Sequence, residues 1–161
     1  MTTSSAPVVR SFEPARHIGR VMKVGNAMLK PLLRSGLGGR MGELALLTVT
    51  GRRSGTRYEI PVSVLSFEGH EVVLTAGRWR VNLRGGAEVR VRRGHDDRTF
   101  HAELIEDPNE VARVYGALLQ RVGLKNAKRV GLVVEGDRIP THEELVEAIG
   151  HHRTVIVLTP R

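Results

Sequence analysis

Two periodicities divide the chain. From Arg16 to Leu33, the apolar residues Ile18, Val21, Met22, Met28, Leu29, Leu32 and Leu33 fall on one side of a helix drawn at about 100° per residue. Arg16, Arg20, Lys23, Lys30 and Arg34 take the opposite side, and no acidic residue lies between Glu13 and Glu43. Pro31 predicts a kink, because proline removes a donor and clashes with the preceding turn. Ahead of this helix, residues 1–15 read as a disordered tail; behind it, Gly36, Gly38, Gly39 and Gly42 read as a connector.

From Leu44 onward the period shortens to that of strands. LALLTVT (44–50) is an apolar, β-branched run, and the turn GRRSG (51–55) leads into an alternating strand over 57–67. Pro61 within it predicts an edge position or a bulge. Glu68–Gly69 turns into a third strand (70–76). RWRVNLRGG then gives a turn or two of helix. Val89 and Val91 alternate with Arg90 and Arg92 in a fourth strand, and Gly94–Asp97 turns into a fifth, RTFHAELI (98–105). Asp107-Pro108-Asn109-Glu110 opens a helix, with Asp as cap, Pro at the first position and Glu reaching back. Its stripe Val111, Val114, Tyr115, Leu118, Leu119 and Val122 ends at Gly123. A second capping box, Thr141-His142-Glu143-Glu144, opens a helix that stops at Gly150, and TVIVLT (154–159) returns as a sixth strand. The pattern predicts an α+β, mainly antiparallel fold: six or seven strands rolled into a β-barrel with flanking helices, forming one domain over 16–161.

Composition narrows the chemistry. The 161 residues contain no cysteine, which excludes disulfides, thiolate metal sites, iron–sulfur clusters and cysteine nucleophiles. The formal charge of +8 favours an anionic partner: nucleic acid, acidic lipid or a phosphorylated cofactor. Nucleic acid ranks last, because aromatic residues make up only 4% and the strands offer no stacking platform. No run reaches the roughly 18 apolar residues of a membrane span, and the N-terminus lacks the apolar core of a secretory signal; the expected location is cytoplasmic. Helix 16–34 has the basic amphipathic form that lies on acidic bilayers, and equally the form that covers a barrel end.

Two clusters are candidates for chemistry. In GRRSG the glycines permit a tight bend whose exposed N–H groups form an anion-binding concavity. Arg52 and Arg53 add forked donors, Ser54 a hydroxyl, and Arg57 follows just beyond. The same residues also suit a plain hairpin loop with solvated charges. In Thr75–Leu83, the single tryptophan, Trp79, has the shape to wall a planar ring, with Asn82 one turn later as a donor; alternatively Trp79 and Leu83 plug the barrel end. His151–His152 reads as a solvated pair rather than half a metal site. Tyr58 and Tyr115 are candidate proton donors, Tyr115 being better explained as core.

An apolar strand, then T-G-R-x-S-G (50–55), Pro61, a strand ending in small residues, and W-x-x-N-L-R (79–84) resembles the deazaflavin-dependent nitroreductase family. The resemblance runs from about residue 17 to the C-terminus. It implies a split β-barrel that binds coenzyme F420, an 8-hydroxy-5-deazaflavin with a phosphodiester and glutamate tail. By the motifs, Arg52, Arg53, Ser54 and Gly55, with Arg57, would hold the anionic tail. Pro61 and its neighbours would line the ring pocket, Ala76, Gly77 and Arg78 would present backbone or charge, and Trp79 and Asn82 would complete the wall. The chain departs from the pattern at Tyr58, where the family carries an arginine. VGLKNAKRVGL (122–132) stands where its prodrug-activating members have a tyrosine-rich substrate segment. The resemblance therefore implies hydride transfer between a reduced deazaflavin and a quinone, enone or nitro compound, with no catalytic residue and no metal assigned. An FMN-binding reductase and a non-catalytic heme or flavin carrier are the alternatives.

Overall fold

The computed structural model describes residues 8–11, 30, 31, 34 and 42–161. The amphipathic helix expected over 16–34, with its membrane and barrel-covering roles, lies almost wholly outside the described residues; Lys30, Pro31 and Arg34 are helical. The elements are β1 (Val8–Ser11), β2 (Leu44–Thr50), β3 (Arg57–Phe67), β4 (His70–Thr75), a 3-10 segment (Arg78–Leu83), β5 (Ala87–Arg93) and β6 (Asp96–Ile105). There follow α1 (Pro108–Val122), a second 3-10 segment (Leu124–Val130), β7 (Leu132–Glu135), α2 (His142–Ile149) and β8 (Thr154–Pro160). Among the described residues, no helix is long and apolar enough to cross a membrane.

Six strands close into an antiparallel-paired barrel in the order β2-β3-β4-β8-β6-β5, and the α+β barrel expected from the pattern is the fold observed. Strand alternation sorts its residues. Ala45, Leu47 and Val49 of β2, Val62 and Val64 of β3, Val89 and Val91 of β5, and Phe100 and Ala102 of β6 meet in one buried cluster with Ile156 and Leu158. Leu83 is fully buried in this cluster and Trp79 packs against it, so the 3-10 segment does plug the interior. β3 pairs with β2 over Arg57–Ser63 and with β4 only from Val64 to Phe67. Pro61 therefore sits where β3 has a β2 partner alone, and its missing N–H costs no bond on the β4 side.

The β5–β6 hairpin is tighter than the pattern predicts. Arg93 pairs with Asp96, leaving a two-residue turn, Gly94–His95, with Gly94 at φ 60°. Glycine in the first central position suits a primed hairpin turn, and this draws Asp96 and Asp97 into the strand.

By its contacts the chain divides into two compact units. One contains the barrel strands β2 to β6 and most of β8. In the other, β1 pairs antiparallel with β7, Val8 opposite Glu135 and Ser11 opposite Leu132, and Arg10 pairs with Glu135. Residues 8–11 of the expected tail are thus a strand, because VVRS and LVVE each satisfy the other's backbone. Within this unit Asp107 caps α1 by accepting from the Glu110 N–H at 3.0 Å. The Glu110 carboxylate, expected to reach back, instead takes the Arg113 guanidinium at 3.3 Å. The box at α2 is complete in both directions between Thr141 and Glu144. Tyr115 is fully buried on the α1 stripe. Burial pushes its hydroxyl up to about 12, the charge of Arg153 pulling only part of the way back. Fully buried, Tyr115 is a core residue.

Candidate functional site

The bend between β2 and β3 is closed from within. The Gly51 N–H donates to the Thr56 carbonyl at 2.8 Å, the Gly55 N–H to the Gly51 carbonyl at 2.9 Å, and the Thr56 N–H to Ser54 Oγ at 3.2 Å. The Arg52 N–H donates to Asn82 Oδ1 at 3.1 Å. Of the GRRSG N–H groups expected to form an anion-binding concavity, those of Gly51, Arg52 and Gly55 are thus engaged with protein. The reason is geometric: a bend this tight brings its own carbonyls and the Asn82 amide within bonding distance. What the bend offers outward is side-chain charge. Arg52 and Arg53 are exposed and, among the described residues, their guanidiniums have no partner.

Glycine is required at Gly51 for packing. A Cβ there would stand 2.6 Å from Ser54 Oγ and 2.9 Å from a ring carbon of Tyr58. Gly55, at φ 67°, supplies the left-handed residue of the bend.

Asn82 ties this bend to the tryptophan. Its Oδ1 accepts from the Arg52 N–H, and its Nδ2 donates to the Trp79 carbonyl at 2.9 Å. Both ends of the amide are engaged with protein, so Asn82 holds the two motifs together rather than standing free as a donor. Ala76 and Gly77 are likewise engaged. Their carbonyls accept from Arg80 Nη1 at 2.9 and 3.1 Å, and the Gly77 N–H donates to Thr75 Oγ1 at 2.9 Å. A Cβ on Gly77 would lie 2.3 Å from Trp79 Nε1, so the absent side chain lets the indole fold back over the loop. Arg78 is exposed and borders neither of the cavities described next.

Two cavities flank the motifs and share one residue, Tyr58. The first, about 830 Å³, is bordered by Gly51, Arg52, Arg53, Ser54, Asn82 and Arg84, with Val81 and Tyr58 as its apolar wall. The second, about 540 Å³, is bordered by Trp79, Ile60, Leu46, Thr48, Arg57 and Tyr58 on one side and by Arg90, Arg92 and Lys30 beyond, with Glu59. Of the residues predicted from the motifs, Arg52, Arg53, Ser54 and Asn82 meet at the first cavity and Arg57 and Trp79 at the second. Pro61 borders neither, while its neighbour Ile60 does. Tyr58 is 43% exposed, and its hydroxyl lies 3.5 Å from Ser54 Oγ.

Lys30, Leu46, Thr48, Val81, Arg84, Arg90 and Arg92 also line these cavities and were not predicted. For Arg90 and Arg92 a signal existed: alternation with Val89 and Val91 puts both arginines on the face opposite the barrel core. Among the described residues, no group of His, Asp and Glu side chains is arranged to hold a metal ion, and His151 and His152 are both exposed.

No family model matches the chain, and no curated protein matches it. Solved structures with a similar course of chain include the conserved hypothetical protein Rv2991 from Mycobacterium tuberculosis, at 16% identity over 78% of each chain and a TM-score of 0.47. An F420-H2 dependent reductase, FDR-A, matches at 15% identity over 72% of this chain and 93% of its own, with a TM-score of 0.46. HutZ, the heme storage protein from Vibrio cholerae, matches at 13% identity over 84% and 89%, also at 0.46. At these values the likeness says nothing of activity.

Proposed function

We propose that this protein is an oxidoreductase that binds coenzyme F420 and moves a hydride between its reduced deazaflavin ring and a small organic acceptor. One observation carries the reading: the arginine-bearing bend and the tryptophan line two adjoining cavities, joined at Tyr58 and braced by Asn82. The residues fit such a coenzyme at both of its ends. The guanidiniums of Arg52 and Arg53, without a partner among the described residues, suit a phosphodiester and glutamate tail. The second cavity has apolar walls at Leu46, Ile60 and Trp79 for a flat ring, with Arg57 at its rim. The coenzyme would supply the hydride chemistry; the chain supplies position, charge and a partly dry wall.

In this reading Arg52, Arg53 and Arg57 hold the tail, and Asn82 fixes the distance between tail and ring sites. Tyr58 stands between the two cavities, with its hydroxyl beside Ser54. The test is direct titration of the purified protein with reduced F420, FMN and heme in separate experiments, following Trp79 fluorescence and calorimetric heat. Submicromolar binding of F420, with neither of the others, is the expected outcome. Tight FMN binding with a flavin spectrum would replace the reading by a flavin reductase, and tight heme binding without turnover by a carrier.

A further inference from the structure

The second cavity has a charged flank that the coenzyme reading does not use. Arg90 and Arg92 project from β5 on the outer face of the barrel, beside Thr48 and Leu46 of β2, their register partners. Asp97 of β6 stands opposite Arg92, and a single one of its oxygens serves both arginines. Oδ2 accepts from Arg90 Nη2 at 2.8 Å, Arg92 Nη2 at 2.8 Å and Arg92 Nε at 3.2 Å. Its other oxygen, Oδ1, is buried without a partner.

Two guanidiniums carry up to ten N–H donors between them, and this carboxylate engages three. One negative charge therefore orients two positive ones and leaves one in excess. Lys30, at the same cavity, has no partner among the described residues and adds another. Glu59, the cavity's own carboxylate, is already paired with Arg34. Arg57, the cation next to the bend, lies two strands away across β2 and is also offset along it, opposite Thr50 where Arg90 is opposite Thr48 and Arg92 opposite Leu46. Ordinary strand spacing therefore puts it more than about 10 Å away. An anionic tail on Arg52, Arg53 and Arg57 thus leaves the β5 flank uncompensated.

We propose that the Arg90–Arg92 pair receives the carboxylate of the acceptor, so that the substrates are flat, conjugated molecules bearing a carboxylate. The surfaces match that shape. With the coenzyme ring on the wall of Leu46, Ile60 and Trp79, an acceptor stacked on the ring's outer face would reach the paired guanidiniums with its charged end. Without coenzyme the same wall is open to a flat probe. As a statement of substrate class this rests on the coenzyme reading, while the anion site itself can be tested without coenzyme.

The experiment compares 2-naphthoate with its neutral analogue 2-naphthamide, by calorimetry on the purified full chain. Naphthoate is expected to bind at least about tenfold more tightly than naphthamide, the scale of one charge-assisted hydrogen-bond pair. Arg92→Gln should remove that preference and leave naphthamide binding unchanged. Arg92→Lys, which keeps charge and loses the fork, should remove part of it. Asp97→Asn relieves the competing carboxylate and should tighten naphthoate binding, a gain that a merely structural network would not give. Arg53→Ala should leave naphthoate affinity within about twofold, since Arg53 does not line this cavity and shares no partner with Arg92.

Equal affinity for the two probes overturns the proposal, as does equal loss of naphthoate binding in Arg53→Ala and Arg92→Gln. Loss of F420 affinity in Arg92→Gln with naphthoate unaffected would reassign the pair to the coenzyme. A selective naphthoate site in a protein that does not bind F420 would uphold the anion site and sink the coenzyme reading alone.

Discussion

Arg52 and Arg53 stand on the Gly51–Gly55 bend with no carboxylate among the described residues. Arg138, just ahead of α2, gives Nη1 and Nη2 to the two oxygens of Glu144 at 3.0 and 2.8 Å. That same glutamate accepts the Thr141 N–H at 2.7 Å, so Arg138 completes a helix cap. Its guanidinium is raised above its usual value mainly by the hydrogen bond to Glu144, and Glu144 is lowered mainly by Arg138. One residue type is thus committed to folding in one unit and left uncommitted beside a cavity in the other. The uncommitted arrangement costs little while the guanidiniums are hydrated, and becomes useful when an anion arrives.

The sharpest way to break this contrast is to remove both bend arginines. Arg52→Ala with Arg53→Ala should weaken F420 binding by a hundredfold or more, taking about 1.5–3 kcal/mol for each charged hydrogen-bonding partner lost. Thermal stability should stay within about 0.5 kcal/mol, as for exposed sites without partners. Calorimetric titration and a melting curve measure the two separately. A large fall in stability with unchanged affinity would put the bend in the same class as the cap.

Asn82→Ala tests the brace rather than the charge. It leaves the exposed Arg52 N–H to water and the part-buried Trp79 carbonyl without its partner, a cost of about 1 kcal/mol. Because it unlinks the two cavities, F420 affinity and Trp79 fluorescence should change together with the melting temperature. Thr141→Ala belongs to the committed side. It removes the hydroxyl that accepts from the Glu144 N–H at 3.3 Å, costs about 1 kcal/mol of stability, and leaves F420 affinity unchanged.

Much of this was legible along the chain because local signals agreed. LALLTVT gives β2 from end to end, since glycine stands immediately after it and every core-facing position is apolar. The box at Thr141–Glu144 could be read because all its partners lie within four residues. Pairings made at a distance were hidden. VVRS looks like tail until LVVE, over a hundred residues later, lies beside it. The Arg52 N–H looked free, because Asn82 reaches it from thirty residues away. Trp79 and Arg53 could be singled out by residue type. That their cavities meet at Tyr58, and that Arg90 and Arg92 border the second, depends on strand order around the barrel, which a single sequence leaves open.

The smallest expected effect, and the most specific to the cap, is in acid. Glu144 is held below its ordinary value near 4.5, first by the Arg138 hydrogen bond and then by the Thr141 N–H. A carboxyl lowered in the folded state adds stability that is fully present above its unfolded value and is lost as pH falls through the folded one. Wild-type protein should therefore lose this contribution only below about pH 4.5, and regain it on return to neutrality. Glu144→Gln keeps an oxygen that can accept the Thr141 N–H and abolishes the charge facing Arg138. Its melting temperature should lie below wild type at pH 7, and the gap should narrow steadily below pH 4.5. A gap that stays constant from pH 7 to pH 3 would mean that the pair's charge adds nothing and that Arg138 is as uncommitted as Arg53.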